Sequence, residues 1–482
     1  MLEAKVYVLN HAPELSGKSP SISACSILFY KVKIHMSKFL IIGADAAGMS
    51  AASRARRYRP DMDVTVLEKS NDVSYSACGM PYNIADPDRD IEDLVVRRAK
   101  VFRERQGIHL YTGHRVERID PGKKTVFGTA GENGEFSFSY DKLLIATGAT
   151  PVKPNLPGFD LPGVMVLNSL DDGRQIKRYL RLNRVKTVVI IGMGYIALEM
   201  VEALRGLGIA VHMVKPRPRL LPWLEESLAE VVQKTLERNE VNLHPGTEIT
   251  GIEKTENGLK VNCTDTAFEC DMVLTAIGTI PNSGLATDAG LTLSVGNSIA
   301  VDPWLKTSDE SIYSAGDCAD SFHVVTGRKT WIPLALRANR GGWAAADNVC
   351  GRNTKLAGIA GTAVFKTFDL AVARTGLNTQ EAEKAGFDPA HIEIETLSRA
   401  HAHPGASPIR VHMVGDRTSG RLLGVQMVGK EGVAHRINAP AIALHAKMSV
   451  AEYSQSDLSY APPFGPTWDP TLTAANQLLK VM

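Results

Sequence analysis

Cysteine is sparse in these 482 residues, and the cysteines present do not fall in pairs. Cys25, Cys78, Cys263, Cys270, Cys318 and Cys350 are scattered, with no Cys-x-x-Cys spacing among them. Isolated thiols of this kind argue against a secreted disulfide framework and against a structural zinc site. The cytosol is the compartment they fit best. Long apolar runs are missing as well. Nothing approaches the roughly 18 residues of a membrane-spanning helix, so no span is expected. An excess of one charge is also lacking: 54 basic and 52 acidic side chains leave a net charge of +2. A nucleic-acid-binding protein would carry a concentrated basic face. The first 35 residues lack the charged start, apolar core and cleavage site of a secretory signal. Met36 stands directly before an apolar strand pattern. The expectation is a fold that begins near Met36, with residues 1–35 a poorly ordered extension or a mistaken start.

What is present is an ordinary globular balance, 44% hydrophobic and 22% charged, in a chain too long for one core. The stretch KFLIIG runs into Gly43-Ala44-Asp45-Ala46-Ala47-Gly48 and then into a helical pattern. The strand DVTVLEKS follows, ending at Glu68 and Lys69. Strand, glycine turn, helix, strand and terminal acid form the dinucleotide-binding unit. The turn lets the backbone approach a pyrophosphate, the helix N-terminus offsets its charge, and Glu68 can accept from ribose hydroxyls. Asp45 replaces the middle glycine. The pattern recurs in VVIIGMGYIALEMVEALRGLG, with Gly192, Gly194, Tyr195 and Ile196, and Ala197 at the third glycine. There the strand-end acid is replaced by Lys215, with Arg217 and Arg219 beyond. Basic side chains pair with a 2′-phosphate where an acid would repel it, so the reading leans to NADPH over NADH. The competing reading of those three residues is ordinary solvated loop charge. Two further strand-and-glycine turns follow, one at Ala146-Thr147-Gly148 and one ending at Gly278. Gly316-Asp317 comes after a short strand and offers a partner for a flavin ribityl chain.

Within SYSACGMPY, Ser74 to Tyr82, Cys78 precedes a Gly-x-Pro turn and a short helical pattern. A helix N-terminus and nearby positive charge both lower a thiol pKa, and the segment after Cys78 is expected to offer the first. No second cysteine lies within five residues on either side, so an internal disulfide is not available. The competing reading of Cys78 is a buried, inert thiol.

From residue 38 on, this order of motifs resembles the flavin-dependent pyridine nucleotide-disulfide oxidoreductases. S-x-x-x-C-G-x-P-Y resembles their single-cysteine branch of coenzyme A disulfide reductases, NADH oxidases and peroxidases, and persulfide or polysulfide reductases. The resemblance implies an α/β fold with two Rossmann-like nucleotide-binding domains and a C-terminal α+β dimerisation domain. FAD would occupy residues 36–155 and 285–352, NAD(P)H residues 156–284, and residues 355–482 would dimerise. It implies Cys78 as the redox thiol of a homodimer. Tyr460, in SYAPPFGPTWDP, would reach the partner's active site and protonate a leaving thiolate. Oxidase and peroxidase members carry a histidine in the first loop where this chain has Ala46, which turns the reading from oxygen toward a sulfur substrate. In FDL, Leu370 stands where some coenzyme A disulfide reductases carry a second tyrosine, which weakens coenzyme A disulfide itself as the substrate and strengthens persulfides, polysulfides and coenzyme A persulfide. Ser50, Arg54, Arg57, Ser74, Lys100, Asn339 and Arg340 match a groove for the phosphates of coenzyme A. The alternatives are an NAD(P)H oxidase or peroxidase and a redox-sensing flavoprotein. No metal site is expected: His401 and His403 in AHAHPG read as loop residues. The Thr-Gln-Glu-Ala pattern from Thr379 predicts a helix opened by a threonine cap, and residues 409–429 predict a hairpin turning at Asp416–Gly420.

Overall fold

A computed structural model of the protein describes residues 37–131 and 134–482. The expectations for residues 1–35, Cys25 among them, lie outside that range. Among the described residues, no helix is long and apolar enough to cross a membrane.

Two parallel five-stranded sheets carry the two glycine turns. In the first, the spatial order is Ile312–Ser314, Lys142–Ile145, Lys38–Ile42, Asp63–Leu67 and His109–Tyr111. In the second it is Val241–Pro245, Ala210–Lys215, Thr187–Ile191, Met272–Thr275 and Val164–Met165. Each is centred on a short apolar run, KFLII or TVVII, as expected of parallel strands covered on both faces. Register is matched as well: Leu40 pairs with Thr65 and Leu143, and Ile190 with Met213 and Leu274. The strand Ile312–Ser314 returns to the first sheet after the second is complete. Ala149–Pro151 and Thr279–Pro281 pair antiparallel where the chain crosses out and back.

The third large sheet is antiparallel, in the order Ala363–Thr367, Leu370–Gly376, Leu422–Gly429, Pro408–Asp416 and Pro389–Leu397. The predicted hairpin is there, with its turn at the expected residues. The predicted helix spans Thr379–Ala385, but threonine is not its cap. The Asn378 side chain accepts from the Glu381 N–H, and Glu381 accepts from the Asn378 N–H. The signal lay one residue earlier, in an Asn-x-x-Glu capping box.

Leu370 is buried in an apolar cluster with Phe365, Val372 and Val428 that continues into the second parallel sheet. Met80 and Ile84, on the helix that follows Cys78, belong to the same cluster. The Cys78 segment is thereby anchored in the core beneath the second glycine turn.

Candidate functional site

Gly43 has φ +107°, and a Cβ there would meet the Ala146 carbonyl oxygen at 2.2 Å. A Cβ on Gly48 would already lie at 1.9 Å from the Gly43 oxygen. Only glycine fits either position. The helix Ala46–Tyr58 follows, and Glu68 closes the loop from the neighbouring strand. One Glu68 carboxylate oxygen accepts from the Ala44 N–H at 2.9 Å, and the other from Ser70 at 2.8 Å. Asp317 stands across from the loop, with its Oδ1 buried and unpartnered. Burial raises its pKa. Lys69 is exposed beside Glu68.

The second turn repeats the first, with Gly192 at φ +114° against the Ala276 carbonyl. Gly194 has open space where a Cβ would stand. Tyr195 lies 5.2 Å between centroids from Trp223, tilted against it, and meets Phe365 edge-on. Ile196 and Gly278 are exposed at the mouth of this turn. Lys215 is less free than its sequence position suggests, because its Nζ donates to the Arg219 carbonyl at 2.5 Å. Arg217 is exposed.

Cys78 lies in a single 3-10 turn, Ala77–Gly79, directly before the helix Met80–Ile84. Its thiol is exposed, and all five described cysteines are free. Two bonds tie this segment to the first glycine turn. The Ser74 N–H donates to the Ala44 carbonyl at 3.0 Å, and the Tyr75 N–H reaches Asp45 Oδ1 at 3.4 Å. Ser74 itself sits at φ +50°, a left-handed backbone unusual for serine. The expected lowering of the thiol pKa is not what the chain supplies. Desolvation raises it first, followed by the carboxylates of Glu199 and Asp317. One turn of helix is a weak dipole against two nearby acids.

Several contacts at the site carry no sequence signal. The Tyr82 hydroxyl donates to Glu199 at 2.8 Å, joining the Cys78 helix to the helix after the second turn. Both residues stand inside the quoted motifs, but 117 positions apart. The helix Leu170–Leu182 grips both flanks of the Cys78 segment. Arg174 forms two 2.7 Å bonds to Asp72 and another to Glu92. Buried Lys177 donates to Asn83 and to the carbonyls of Asp86 and Arg89.

The seven residues expected to form a phosphate groove are only partly assembled. The helices Ala46–Tyr58 and Ala335–Val349 pack closely enough that a Cβ on Gly342 would meet the Ala47 oxygen at 2.1 Å. That contact brings the Ser50 hydroxyl to Asn339 at 2.6 Å. Arg57 and Arg340 are exposed on the same two helices. Arg54 differs from expectation. Its guanidinium binds both oxygens of Asp347, at 2.9 and 2.8 Å, and lies over the Tyr58 and Trp343 rings. It works as a strut between helices rather than as a free anion partner, because Asp347 already takes its fork. Lys100 is exposed on the helix Ala99–Gln106, 3.9 Å from Glu104. Tyr460 is 49% exposed, in a stretch that also exposes Phe464 and Trp468. Among the described residues, no group of three or more metal-ligating side chains comes together, His401 and His403 included.

A sequence profile of the pyridine nucleotide-disulphide oxidoreductases matches residues 37–342, and one of their dimerisation domain matches residues 362–470. The chain is similar to a CoA-dependent NAD(P)H sulfur oxidoreductase of Pyrococcus furiosus. They are 38% identical over 443 residues, 92% of this chain and 99% of that one. A coenzyme A disulfide reductase of Staphylococcus aureus is 28% identical over 431 residues, 89% of this chain and 97% of that one. In structure, the chain is similar to an NAD-dependent persulfide reductase of A. fulgidus. The TM-score is 0.89 and the identity 34%, covering 92% of this chain and 83% of the other.

Proposed function

Because the chain belongs to the pyridine nucleotide-disulphide oxidoreductase family, we propose that it uses NAD(P)H to reduce coenzyme A disulfide, or a coenzyme A persulfide or polysulfide, through the single thiol of Cys78. The family's cofactors are FAD and NAD(P)H, and the residues present fit a flavin. The Gly43–Gly48 turn runs so close to neighbouring carbonyls that only glycine fits at its two ends, and the orphaned Asp317 Oδ1 lacks the hydroxyl donor that a ribityl chain carries. Ala44 to Ala47, Glu68, Lys69, Ala146 to Gly148, Gly316 and Asp317 are the residues that would hold it. Gly192, Gly194, Tyr195, Ile196, Lys215, Arg217 and Gly278 would hold the nicotinamide nucleotide.

The observation that carries the reading is the exposed, unpaired Cys78 thiol on a segment bonded to the first glycine turn. When bound, the flavin supplies the two electrons of an NAD(P)H hydride to sulfur at Cys78. The Cys78 thiolate attacks one sulfur of RS–SR′. A Cys78–S–SR bond forms, the substrate S–S bond breaks, and R′S⁻ leaves and takes a proton. The two electrons from NAD(P)H and a proton then break the Cys78–SR bond, release RSH and restore the thiolate. The second thiol thus comes from the substrate. Tyr460 of the partner subunit supplies the proton to the leaving thiolate. The exposed Phe464 and Trp468 beside it suit burial against a second copy. Ser50 and Asn339 with Arg57 and Arg340 are the groove residues best placed for the anionic substrate, and Ser74 and Lys100 belong to the same reading. The proposed setting is the cytosol.

Cys78→Ser is the direct test, with coenzyme A disulfide, coenzyme A persulfide, polysulfide and oxygen as acceptors. Turnover with the sulfur acceptors falls at least about a thousandfold, while NAD(P)H still bleaches the flavin in a single turnover. Retained sulfur turnover overturns the proposal. So does a wild-type protein that consumes oxygen but releases no thiol.

A further inference from the structure

Asp45 occupies the position where the dinucleotide pattern has its middle glycine. It is the N-cap of the helix Ala46–Tyr58, yet its side chain makes no capping bond. Its Oδ1 turns instead to the Tyr75 N–H, at a long 3.4 Å. The charges acting on it are the carboxylates of Glu68, from the end of the neighbouring strand, and Asp317, from across the site. The Cys78 segment adds Tyr75 and the thiol itself, both of which feel Asp45. A cationic contribution, from Arg337, acts on Asp317. Burial, with those two acids, raises the Asp45 carboxyl to about 6. Three acids therefore converge on a turn whose open amides suit a doubly negative pyrophosphate. A second anion cannot enter beside three carboxylates without cost, and the cheapest relief is a proton on one of them.

We propose that Asp45 couples flavin binding to proton uptake: the chain takes FAD together with one proton, held on the Asp45 carboxyl. The neutral acid is then a hydrogen-bond donor in a place where a carboxylate would repel the ligand. This rests on the flavoprotein reading above and adds a residue role to it. The bound-state pKa of Asp45 lies above the free-state one. Affinity is therefore flat below the free-state pKa and falls, by up to about tenfold per pH unit, as pH rises between the two.

Titration calorimetry of the apoprotein with FAD at pH 7.5, in buffers of different ionisation enthalpy, counts the protons. Wild type takes up about one proton, and its FAD affinity drops at least about tenfold from pH 6 to pH 8. Asp45→Asn and Asp45→Ser take up about none and bind with flat pH dependence. The serine variant decides the matter if the asparagine variant misfolds. Zero uptake by the wild type overturns the inference, as does an unchanged pH slope in the variant, which would place the proton elsewhere than on Asp45. Wild-type apoprotein that binds no FAD overturns the flavoprotein reading and this inference together.

Discussion

Gly43 and Gly192 begin two turns whose backbones nearly coincide. Their φ values are +107° and +114°, each would drive a Cβ to 2.2 Å from a carbonyl oxygen, and each N–H donates to the end of the next strand, Leu67 or Val214. What surrounds them differs. The first turn has three acids at hand, Asp45, Glu68 and Asp317, and a glycine that brings helix and turn into contact. The second has open space at Gly194, a buried Ala197 and a basic strand end. One backbone solution thus occurs twice, with the difference held in side chains. The first turn is the more crowded, and the second is more open.

The largest break in that comparison comes at the third position of each turn. Gly48→Ala places a methyl group 1.9 Å from a carbonyl that the fold cannot move. The expected outcome is a loss of about 3 kcal/mol of stability and of most bound flavin, read from urea midpoints and the visible spectrum. The mirror change, Ala197→Gly, removes a methyl that is already accommodated. It costs about 1 kcal/mol, the ordinary helix penalty of glycine, and leaves the nicotinamide nucleotide bound. Equal losses from the two changes would mean that the turns are not packed differently.

The two turns were legible in the sequence for a physical reason. Buried parallel strands read as short apolar runs, and a backbone that needs positive φ admits little but glycine. Cys78 was legible as a position and misread in its electrostatics, because the burial that desolvates the thiol and the carboxylates of Glu199 and Asp317 come from distant parts of the chain. Arg54 shows the same limit. The resemblance placed it in a groove with Ser50 and Arg57, but not beside Asp347, 293 residues on. Lys177 gave no signal at all, since its partners are mostly backbone carbonyls, which every residue carries. Periodicity reports which face is buried, and leaves open which side chains meet there.

Strand-end charge is the next way to sharpen the comparison. Lys215→Glu gives the second turn the acid of the first. The NADPH-to-NADH ratio of kcat/KM is expected to fall about tenfold, near 1.4 kcal/mol. Arg217→Ala tests the exposed cation beside it and lowers the ratio about threefold. Lys215 already serves the Arg219 carbonyl, so Lys215→Gln, which keeps a donor but no charge, separates loop support from phosphate recognition. An unchanged ratio in all three would make these residues ordinary surface charge.

The smallest effect lies where the halves touch, at Tyr82 and Glu199. Glu199 raises the Cys78 pKa, and removing its charge lets the thiol ionise at lower pH. Glu199→Gln keeps an acceptor for the Tyr82 hydroxyl, so the contact itself survives. Alkylation of Cys78 at pH 7.5 should then proceed about two- to threefold faster, with the midpoint of its pH profile moved down. Tyr82→Phe breaks the contact but leaves the carboxylate near the sulfur. If it speeds alkylation as much as Glu199→Gln does, the cause is loosening of the Cys78 helix. If only the glutamine variant does, the second half of the molecule sets the readiness of the thiol by charge, before any substrate arrives.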